Sequence, residues 1–478
     1  MKSISFLLKA IAITVIAIFL VNLSSAQNSK DAIQPHPENP YYWQYEGEPV
    51  VLLGGTKDDN LFQIPDLKDH LKELSKIGGN YVRNTMSDRP ADSERPESGY
   101  VVYPFKNLDN GKYDLNQWNS EYWERFENLL QWASRMDIIV QIEVWDRFDY
   151  SRANWIPHPY NPKNNVNYSY EESGFKPEYP KHPGANVQPF FFTTPQQSDN
   201  QTVLKYQQRF VNKMLDHALE YPNVLYCIDN ETSGEEAWSV YWARFIRERA
   251  AEENVSVNVT EMWDEWDLKN PQHRRTFDHP DRFNFVDISQ NNHQTGETHW
   301  NNFQWVRDYL SNRPRPINSV KIYGSGADSH GGSVQDAVEK FWRWIIGGAA
   351  SARFHRPNSG IGLSKTAKTQ IRSARMFLNN FDIVNAKPDT EHKLLSGREE
   401  NEAYLTRIPG KAYAVYFTNG GTVNLNLPDT QDQFRIKWLD ISGSNWKSQS
   451  IIKGEQTVTL ETPGLGHYIA VLTTEEIE

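Results

Sequence analysis

Eight short apolar stretches, most of them followed by a stretch with helical spacing, organise the chain up to about residue 380. The predicted strands are Val50–Leu53, Asn80–Thr85, Ile138–Val144, Val224–Ile228, Val255–Thr260, Phe283–Ile288, Ile317–Ile322 and Ala349–Phe354. The predicted helices are Asp66–Lys76, Asn116–Arg135, Val203–Glu220, Glu236–Glu252, Trp300–Leu310, Val334–Ile346 and Ala367–Asn379. Short apolar strands of this kind are typical of parallel sheets buried on both faces.

This alternation favours an α/β fold, a (β/α)8 TIM barrel with insertions, over about 340 residues. An open doubly wound sheet is the alternative, but the first strand is not followed by a glycine-rich phosphate turn. The pattern assigns residues 27–388 to the barrel. A long insertion at about 149–198, rich in Pro, Asn and aromatic residues, follows the third strand. We expect it to form an ordered wall or lid over the site, or else a packing flap.

From about Leu394 the periodicity changes to alternation, with turn residues between short stretches. This pattern predicts a small antiparallel β-sandwich over residues 389–478. Asn419-Gly420-Gly421 has the composition of a hairpin turn, and we expect it to join two paired strands.

The first 26 residues have the composition of a secretory signal peptide. Lys2 and Lys9 precede the apolar stretch Ile11–Leu20, and small residues ending at Ala26 suit cleavage before Gln27. A membrane anchor is the alternative, but the apolar stretch is short for one. We therefore expect a secreted or periplasmic bacterial protein, with no membrane partner.

Composition excludes several functional classes. The 50 basic and 61 acidic residues leave a net charge of −11, which argues against a nucleic-acid partner. A single cysteine, Cys227, rules out an intrachain disulfide and cysteine-rich metal or haem motifs. Aromatic residues make up 13% of the chain, including 16 Trp, which suits a cleft that stacks on sugar rings as well as a large core.

Barrel enzymes place their reactive groups at the carboxyl ends of the strands, and here all eight predicted ends are polar. The candidates for substrate binding are Asp58, Arg83, Glu143, Trp145, Arg147, Asn230, Trp263, Asn291, His293, Arg353 and Arg356. The candidates for catalysis are Glu231, Lys321, Tyr323, His355 and Glu261. Charged surface residues could explain one such end, but eight together predict a site for a polar ligand.

Asn230-Glu231 follows the fourth predicted strand, and Arg83 ends the second. In this respect the sequence resembles the clan-A glycoside hydrolases, in which an Asn-Glu pair ends strand four. That resemblance implies that Glu231 is the acid/base. The layout is most similar to apiosidase-like barrel glycosidases, whose C-terminal β-domain carries a collagen-binding label. A Glu in a partly desolvated cleft is expected to keep its proton near neutral pH, whereas the structural alternative is a helix cap.

The seventh predicted strand departs from the clan-A pattern. The resemblance implies a nucleophilic Glu at its end, but no Asp or Glu lies between Asp308 and Asp328, and Lys321 occupies that place. Retaining hydrolysis needs two carboxylates, so a second one would have to come from Glu143, Glu261 or Asp264. A wider separation between the two carboxylates would give inversion.

Seven cationic or imidazole side chains map to the predicted active face: Lys57, Arg83, Arg147, Lys321, Arg353, His355 and Arg356. Such a cluster suits a uronate or sulfated sugar, unless the cations pair with neighbouring carboxylates. A bound uronate would also permit β-elimination by a lyase or dehydratase, with Lys321, Tyr323 or His355 as base.

The leading hypothesis is a secreted glycoside hydrolase that acts on an acidic plant or algal cell-wall oligosaccharide or polysaccharide. The alternatives are an eliminating lyase or dehydratase on the same substrate and a carbohydrate-binding protein without activity. No motif predicts a cofactor. His293, Glu297 and His299 share one loop, but their spacing matches no firm metal motif, so no metal site is predicted.

Overall fold

The computed structural model describes residues 31–89, 101–326, 332–427, 433–453 and 457–474. The predicted signal segment lies outside these residues. No helix within the described ranges has both the length and the apolar character needed to cross a membrane.

Eight parallel strands form the barrel. They are β1 (Leu52–Gly55), β2 (Tyr81–Thr85), β3 (Ile139–Asp146), β4 (Val224–Asn230), β5 (Asn258–Thr260), β6 (Val286–Asp287), β7 (Ile317–Asn318) and β8 (Ser351–Phe354). A continuous parallel sheet runs in the order β5-β4-β3-β2-β1-β8, and β6 pairs with β7. The predicted TIM-barrel fold is thus confirmed.

At two junctions of the ring, β7–β8 and β5–β6, neighbouring strands share fewer backbone hydrogen bonds than the strands of the continuous sheet do. Between β7 and β8, the amide of Ala350 donates to the carbonyl of Ile317 at 2.9 Å. Between β5 and β6, the Thr260 hydroxyl donates to the carbonyl of Phe285 at 2.8 Å. Short strands joined partly by side chains leave the polar segments that follow them free to turn into the barrel mouth.

A helix follows each strand on the outside of the barrel. The helices are α1 (Leu67–Lys76), α2 (Ser120–Ser134), α3 (Gln201–Ala218), α4 (Glu236–Glu252), α5 (Pro271–Phe277), α6 (Gly296–Tyr309), α7 (Val334–Ile346) and α8 (Lys365–Leu378). The prediction started α2 too early, because Asn116 lies in the strand Tyr113–Trp118 and Asn119 caps the helix. The short helix α5 was not predicted, since its residues PQHRRTF show no apolar periodicity.

The insertion at about 149–198 is ordered and built around its own aromatic side chains. Tyr150 stacks on Phe190 with ring centroids 3.8 Å apart, and Phe190 packs edge-on against the buried Trp145. The insertion is therefore anchored to the barrel core through β3. Its segment 182–186 lies against the residues that follow β4, beside the candidate site described below.

The C-terminal region is a sandwich of two antiparallel sheets, as predicted. Its strands are β9 (Lys387–Pro388), β10 (Leu395–Ser396), β11 (Ala403–Ile408), β12 (Ala412–Phe417), β13 (Thr422–Asn426), β14 (Gln433–Asp440), β15 (Asn445–Lys453), β16 (Thr457–Glu461) and β17 (Tyr468–Thr474). One sheet has the order β9-β11-β12-β17-β14-β15 and the other β10-β13-β16.

The prediction of a hairpin at Asn419-Gly420-Gly421 is wrong. The turn connects β12 to β13, but these strands belong to different sheets and do not pair. Gly420 and Gly421 have φ values of 73° and 131°, and this left-handed backbone carries the chain across the sandwich instead of back along the same sheet. A glycine-rich turn signals a reversal of the chain but not the partner of the next strand.

The barrel and the sandwich share part of one apolar core, and polar groups on α6 and α7 add hydrogen bonds and ion pairs between them. Both carboxylate oxygens of Glu297 are bonded: Oε1 accepts from Arg398 and from the amide of Asn401, and Oε2 contacts His392 at 3.2 Å. Asn401 also contacts Glu339 and the buried Arg343 on α7. We call Glu297, Glu339, Arg343, Arg398 and Asn401 the interdomain network.

Candidate active site

Glu231 lies directly after β4, in the mouth of the barrel, and its side chain is 18% exposed. Its backbone is left-handed, with a φ of 52°. This conformation is uncommon for a residue with a long side chain and costs of order 1–3 kcal/mol. The strain is placed at the residue that the sequence identifies as the main catalytic candidate.

Three donors hold one oxygen of Glu231. Oε1 accepts from the Tyr323 hydroxyl at 2.8 Å and from Nε2 of Gln290 at 3.0 Å, and Nζ of Lys321 lies 2.7 Å away. No hydrogen bond reaches Oε2 from any residue within the described ranges. The carboxylate is thus fixed through one oxygen and keeps the other available.

The environment lowers the pKa of Glu231, contrary to the sequence-based expectation of a retained proton. Burial by itself raises this pKa, but the charge of Lys321 and the hydrogen bonds from Lys321, Tyr323 and Gln290 outweigh it. Burial and the neighbouring carboxylate raise the pKa of Tyr323 well above its usual value. Near neutral pH the pair is therefore an ionised carboxylate and a neutral phenol.

Lys321 follows β7 at the place of the expected nucleophile and is almost completely buried. It also donates to Oδ1 of Asn230, whose amide in turn donates to Asp146 at 2.7 Å. Arg89 bridges Asp146 and Asp149. A continuous polar chain thus runs from the β7 end through the β4 and β3 ends to the start of the insertion.

A second cluster is centred on Asp59, behind the first. Arg83 contacts Asp59 and Glu143 at 2.5 Å each, and Arg356 contacts Asp59 at 2.6 Å. His355 lies 3.6 Å from Asp59, and burial keeps its pKa well below the usual value, so the imidazole is neutral. The two clusters meet where the rings of His355 and Tyr323 approach to 5.2 Å.

Most of the predicted cationic cluster is neutralised within the protein. Arg83, Arg356 and Lys321 each contact a carboxylate of the protein. Arg353 differs, because its guanidinium donates to the carbonyl of Val320 and the hydroxyl of Thr56. Burial and the nearby Arg83 lower its pKa to about 9.

Asp264 is a second carboxylate at the mouth. It follows β5 and is half-buried, and its amide donates to the carbonyl of Thr232 at 2.9 Å, one residue after Glu231. Its carboxylate forms no hydrogen bond or ion pair within the described part of the chain. Burial and the charge of Glu231 raise its pKa to about 6. Two neighbouring carboxyl groups therefore have pKa values displaced in opposite directions.

The insertion forms one wall beside Glu231. The Ser233 hydroxyl donates to the carbonyl of Gly184 at 3.1 Å, and Arg147 bonds Asn186 and Thr232. A Cβ on Gly234 would lie 1.9 Å from a guanidinium nitrogen of Arg147, so a larger residue there would displace that side chain. Segment 182–186 of the insertion begins with His182. Burial and Arg152 lower the pKa of His182, although Glu231 acts in the opposite direction.

Several predicted site residues lie inside the protein instead of in the mouth. Trp145 packs against Trp238 and Trp242, and Trp263 donates its indole N–H to Thr276 at 2.7 Å. Side chains on the strand ends alternate between the mouth and the surrounding core, and these two large rings fill the core.

Three further candidates bond to groups of the protein itself; Asn291 and Glu261 are buried, and Asp58 is half-buried. Asn291 donates to the carbonyl of His299 at 2.9 Å, and Asp58 accepts from the amide of Asp59. Glu261 accepts from the amides of Asp229 and Met262 and from Ser239. Burial and the adjacent Asp229 raise the pKa of Glu261 well above its usual value, which suits a protonated structural carboxyl.

No group of three or more His, Cys, Asp or Glu side chains suited to a metal ion occurs within the described residues. The three residues that share one loop in the sequence separate in the structure. Glu297 belongs to the interdomain network, His299 is buried, and the ring of His293 stacks on Trp266.

The site also contains four residues that were not among the predicted catalytic or binding residues. Gln290 bonds Glu231, Asp59 organises three cationic or imidazole groups, and Asp146 links Asn230 to Arg89. All three follow predicted strands, so strand-end polarity was their only signal. His182 belongs to the insertion, more than thirty residues after β3, and the sequence offers no sign of its position.

No protein-family model and no curated protein matches this chain. Solved structures do. A glycoside hydrolase of family 5 from Bacteroides vulgatus has a TM-score of 0.62 at 11% identity, with 93% of each chain covered. Another structure described as a glycoside hydrolase has a TM-score of 0.60 at 10% identity, covering 93% of this chain and 97% of its own. At such identities the likeness establishes the fold of the barrel and the domain that follows it.

Proposed function

We propose that the protein is a carbohydrate-active enzyme of the clan-A type that hydrolyses a glycosidic bond in an oligosaccharide. The observation that carries this proposal is the pair formed by Glu231 and Asp264 in the barrel mouth. Glu231 is held ionised, and one of its oxygens accepts no hydrogen bond from the described residues, whereas the neighbouring Asp264 has a pKa of about 6. Pairs of carboxyl groups with separated pKa values are how glycosidases divide the roles of base and acid.

In this proposal Asp264 protonates the leaving glycosidic oxygen as the bond to the anomeric carbon breaks. Oε2 of Glu231 takes a proton from a water molecule whose oxygen forms the new bond to that carbon, which inverts the centre. Lys321, Tyr323 and Gln290 hold Glu231 in place and keep it ionised. The roles are reversed from those implied by the clan-A resemblance, since a lysine stands at the β7 position.

A uronate-containing or sulfated substrate is the finer part of the proposal. It is supported by Arg353, which contacts neutral oxygens and whose pKa is already lowered by burial and by Arg83. An anionic sugar group in the mouth would offset this positive potential. Comparing kcat/KM for matched neutral and uronate oligosaccharides at low and high salt tests this part.

Elimination at a uronate is the second candidate. In that reaction Glu231 removes the C5 proton, the C4–O bond breaks, and the departing oxygen takes the proton of Tyr323. The observation that favours it is the neutral Tyr323 phenol, 2.8 Å from an ionised carboxylate. A carbohydrate-binding protein without turnover is the remaining alternative.

Mass spectrometry of oligosaccharides incubated with the enzyme separates these reactions. Hydrolysis gives fragments that have gained one water, whereas elimination gives unsaturated ends or an intact chain lighter by one water. Binding without any change in mass would contradict both reactions. NMR of the freshly released reducing end would show the inverted anomer under our proposal and the retained anomer if Glu231 were a nucleophile.

We also propose that the enzyme acts outside the cytoplasm, as the composition of residues 1–26 supports. Expression in a bacterium, followed by N-terminal sequencing of the periplasmic or secreted protein, should give a chain that begins at Gln27. A chain retained in the cytoplasm with Met1 in place would contradict this proposal.

A further inference from the structure

Trp266, in the segment between β5 and α5, presents a large aromatic surface to solvent. Its side chain is 51% exposed, unlike Trp145 and Trp263, which are buried. The indole stacks on the ring of His293, with centroids 3.9 Å apart and planes at 16°. An indole placed flat on another ring offers its opposite face, an arrangement suited to the C–H face of a sugar.

A short series of contacts joins this ring to the proposed catalytic carboxylate. The ring of His293 lies 4.9 Å from that of Tyr323, and the Tyr323 hydroxyl donates to Glu231 at 2.8 Å. Two rings, those of His293 and Tyr323, thus lie between Trp266 and Glu231 along this series of contacts. A sugar lying on the opposite face of Trp266 would therefore bind outside the position beside Glu231 that the reacting sugar occupies.

The segment that carries Trp266 is held in place at both ends. On one side, Trp263 is buried and bonded to Thr276. On the other side, Leu268 is buried, and the Glu265 carboxylate accepts from the amide of Asp267 and the side chain of Asn270. A ring held in this way loses little conformational freedom when a ligand binds.

We propose that Trp266, backed by His293, is a binding platform for a pyranose ring of the oligosaccharide beyond the ring that reacts. This inference rests on the proposed function, because it places the platform relative to Glu231. It predicts a preference for longer chains, since a substrate too short to reach Trp266 gains nothing from it. The ligand is a sugar with an exposed C–H face, and stacking of that face on the indole requires no charged group on the sugar.

Turnover of oligosaccharides of increasing length by Trp266→Ala and by the unaltered enzyme tests the platform. We expect kcat/KM for long substrates to fall about 3- to 10-fold, mainly through KM, as befits one aromatic stacking contact. The shortest substrate that is cleaved should show no change. Trp266→Phe should recover part of the loss. An equal loss at every length, or no loss at any, would overturn the inference.

Trp132→Ala is the matched control. Its half-buried ring lies on the outer side of the barrel, on α2 beneath Lys68, and its loss should leave the length dependence unchanged. Titration of the Glu231→Gln variant with oligosaccharides, followed by tryptophan fluorescence, keeps the two proposals apart. Binding weakened by Trp266→Ala in a protein without turnover would leave the platform standing while the proposed function fails. If Glu231→Gln abolishes turnover but Trp266→Ala leaves binding unchanged, the proposed function stands and the platform fails.

Discussion

Glu231 in the barrel mouth and Glu297 in the interdomain network are two carboxylates with similar exposure and different roles. Their side chains are 18% and 16% exposed, and neighbouring donors lower the pKa of both, that of Glu297 to about 2. Glu297 uses both oxygens to join two domains, whereas Oε2 of Glu231 has no hydrogen-bond partner in the part of the chain that the structure describes. The comparison indicates that an unused acceptor distinguishes a reactive carboxylate from a structural one more clearly than burial does.

The substitution Glu231→Gln is expected to have the largest effect on activity. We expect turnover to fall at least about 10³-fold, because an amide accepts no proton from water, while the fold remains intact. Product formation measured by mass spectrometry, with the melting temperature as a check of folding, gives the result. Activity within tenfold of the unaltered enzyme would remove Glu231 from the mechanism.

Asp264→Asn tests the partner carboxyl and the pH dependence. A general acid with a pKa of about 6 must be protonated, so kcat/KM should fall about tenfold per pH unit above 6. Glu231 stays ionised into strongly acidic solution, so it should impose no loss near pH 5. The asparagine variant should lose about 100-fold in activity and also the decline above pH 6. The same decline in the variant would assign it to another group.

Glu297→Gln is the structural counterpart of Glu231→Gln. Loss of its charge removes an ion pair with Arg398 and weakens bonds to Asn401 and His392, which should destabilise the protein by about 2 kcal/mol. Thermal unfolding measures that loss. Turnover per folded molecule should stay unchanged, and a selective fall in kcat at full stability would mean that the sandwich reaches the site.

Lys321→Met gives the smallest expected effect and tests what keeps Glu231 ionised. Without the ammonium group, only the hydrogen bonds from Tyr323 and Gln290 offset burial, and the pKa of Glu231 rises. The acidic limb of the pH–rate profile should therefore move upward by at least about one pH unit. Lys321→Arg, which keeps the charge, is the matched control. An unmoved limb in the methionine variant would mean that Tyr323 and Gln290 suffice.

Local patterns in the sequence were enough to predict the order of the barrel strands and of every barrel helix except α5. Apolar strands such as Val224–Asn230 and amphipathic helices such as Val334–Ile346 are local patterns, and a parallel barrel is the compact way to bury them. The polar residues after those strands, Glu231 among them, could be predicted for the same reason. Period-two alternation likewise identified the C-terminal sandwich.

The role of each polar residue, by contrast, depends on contacts that form only in the folded protein. Trp145 lies near the end of β3 and Trp266 in the loop after β5, yet one fills the core and the other faces solvent, because strand register sets the direction of the first side chain and the path of the loop sets that of the second. The ionised state of Glu231 depends on Lys321, ninety residues away in sequence, and the free carboxyl of Asp264 on the absence of such a partner within the described residues. Strand pairing across Gly420-Gly421 was likewise non-local. Local patterns specify elements, whereas pKa values and pairing are set by groups that only folding brings together.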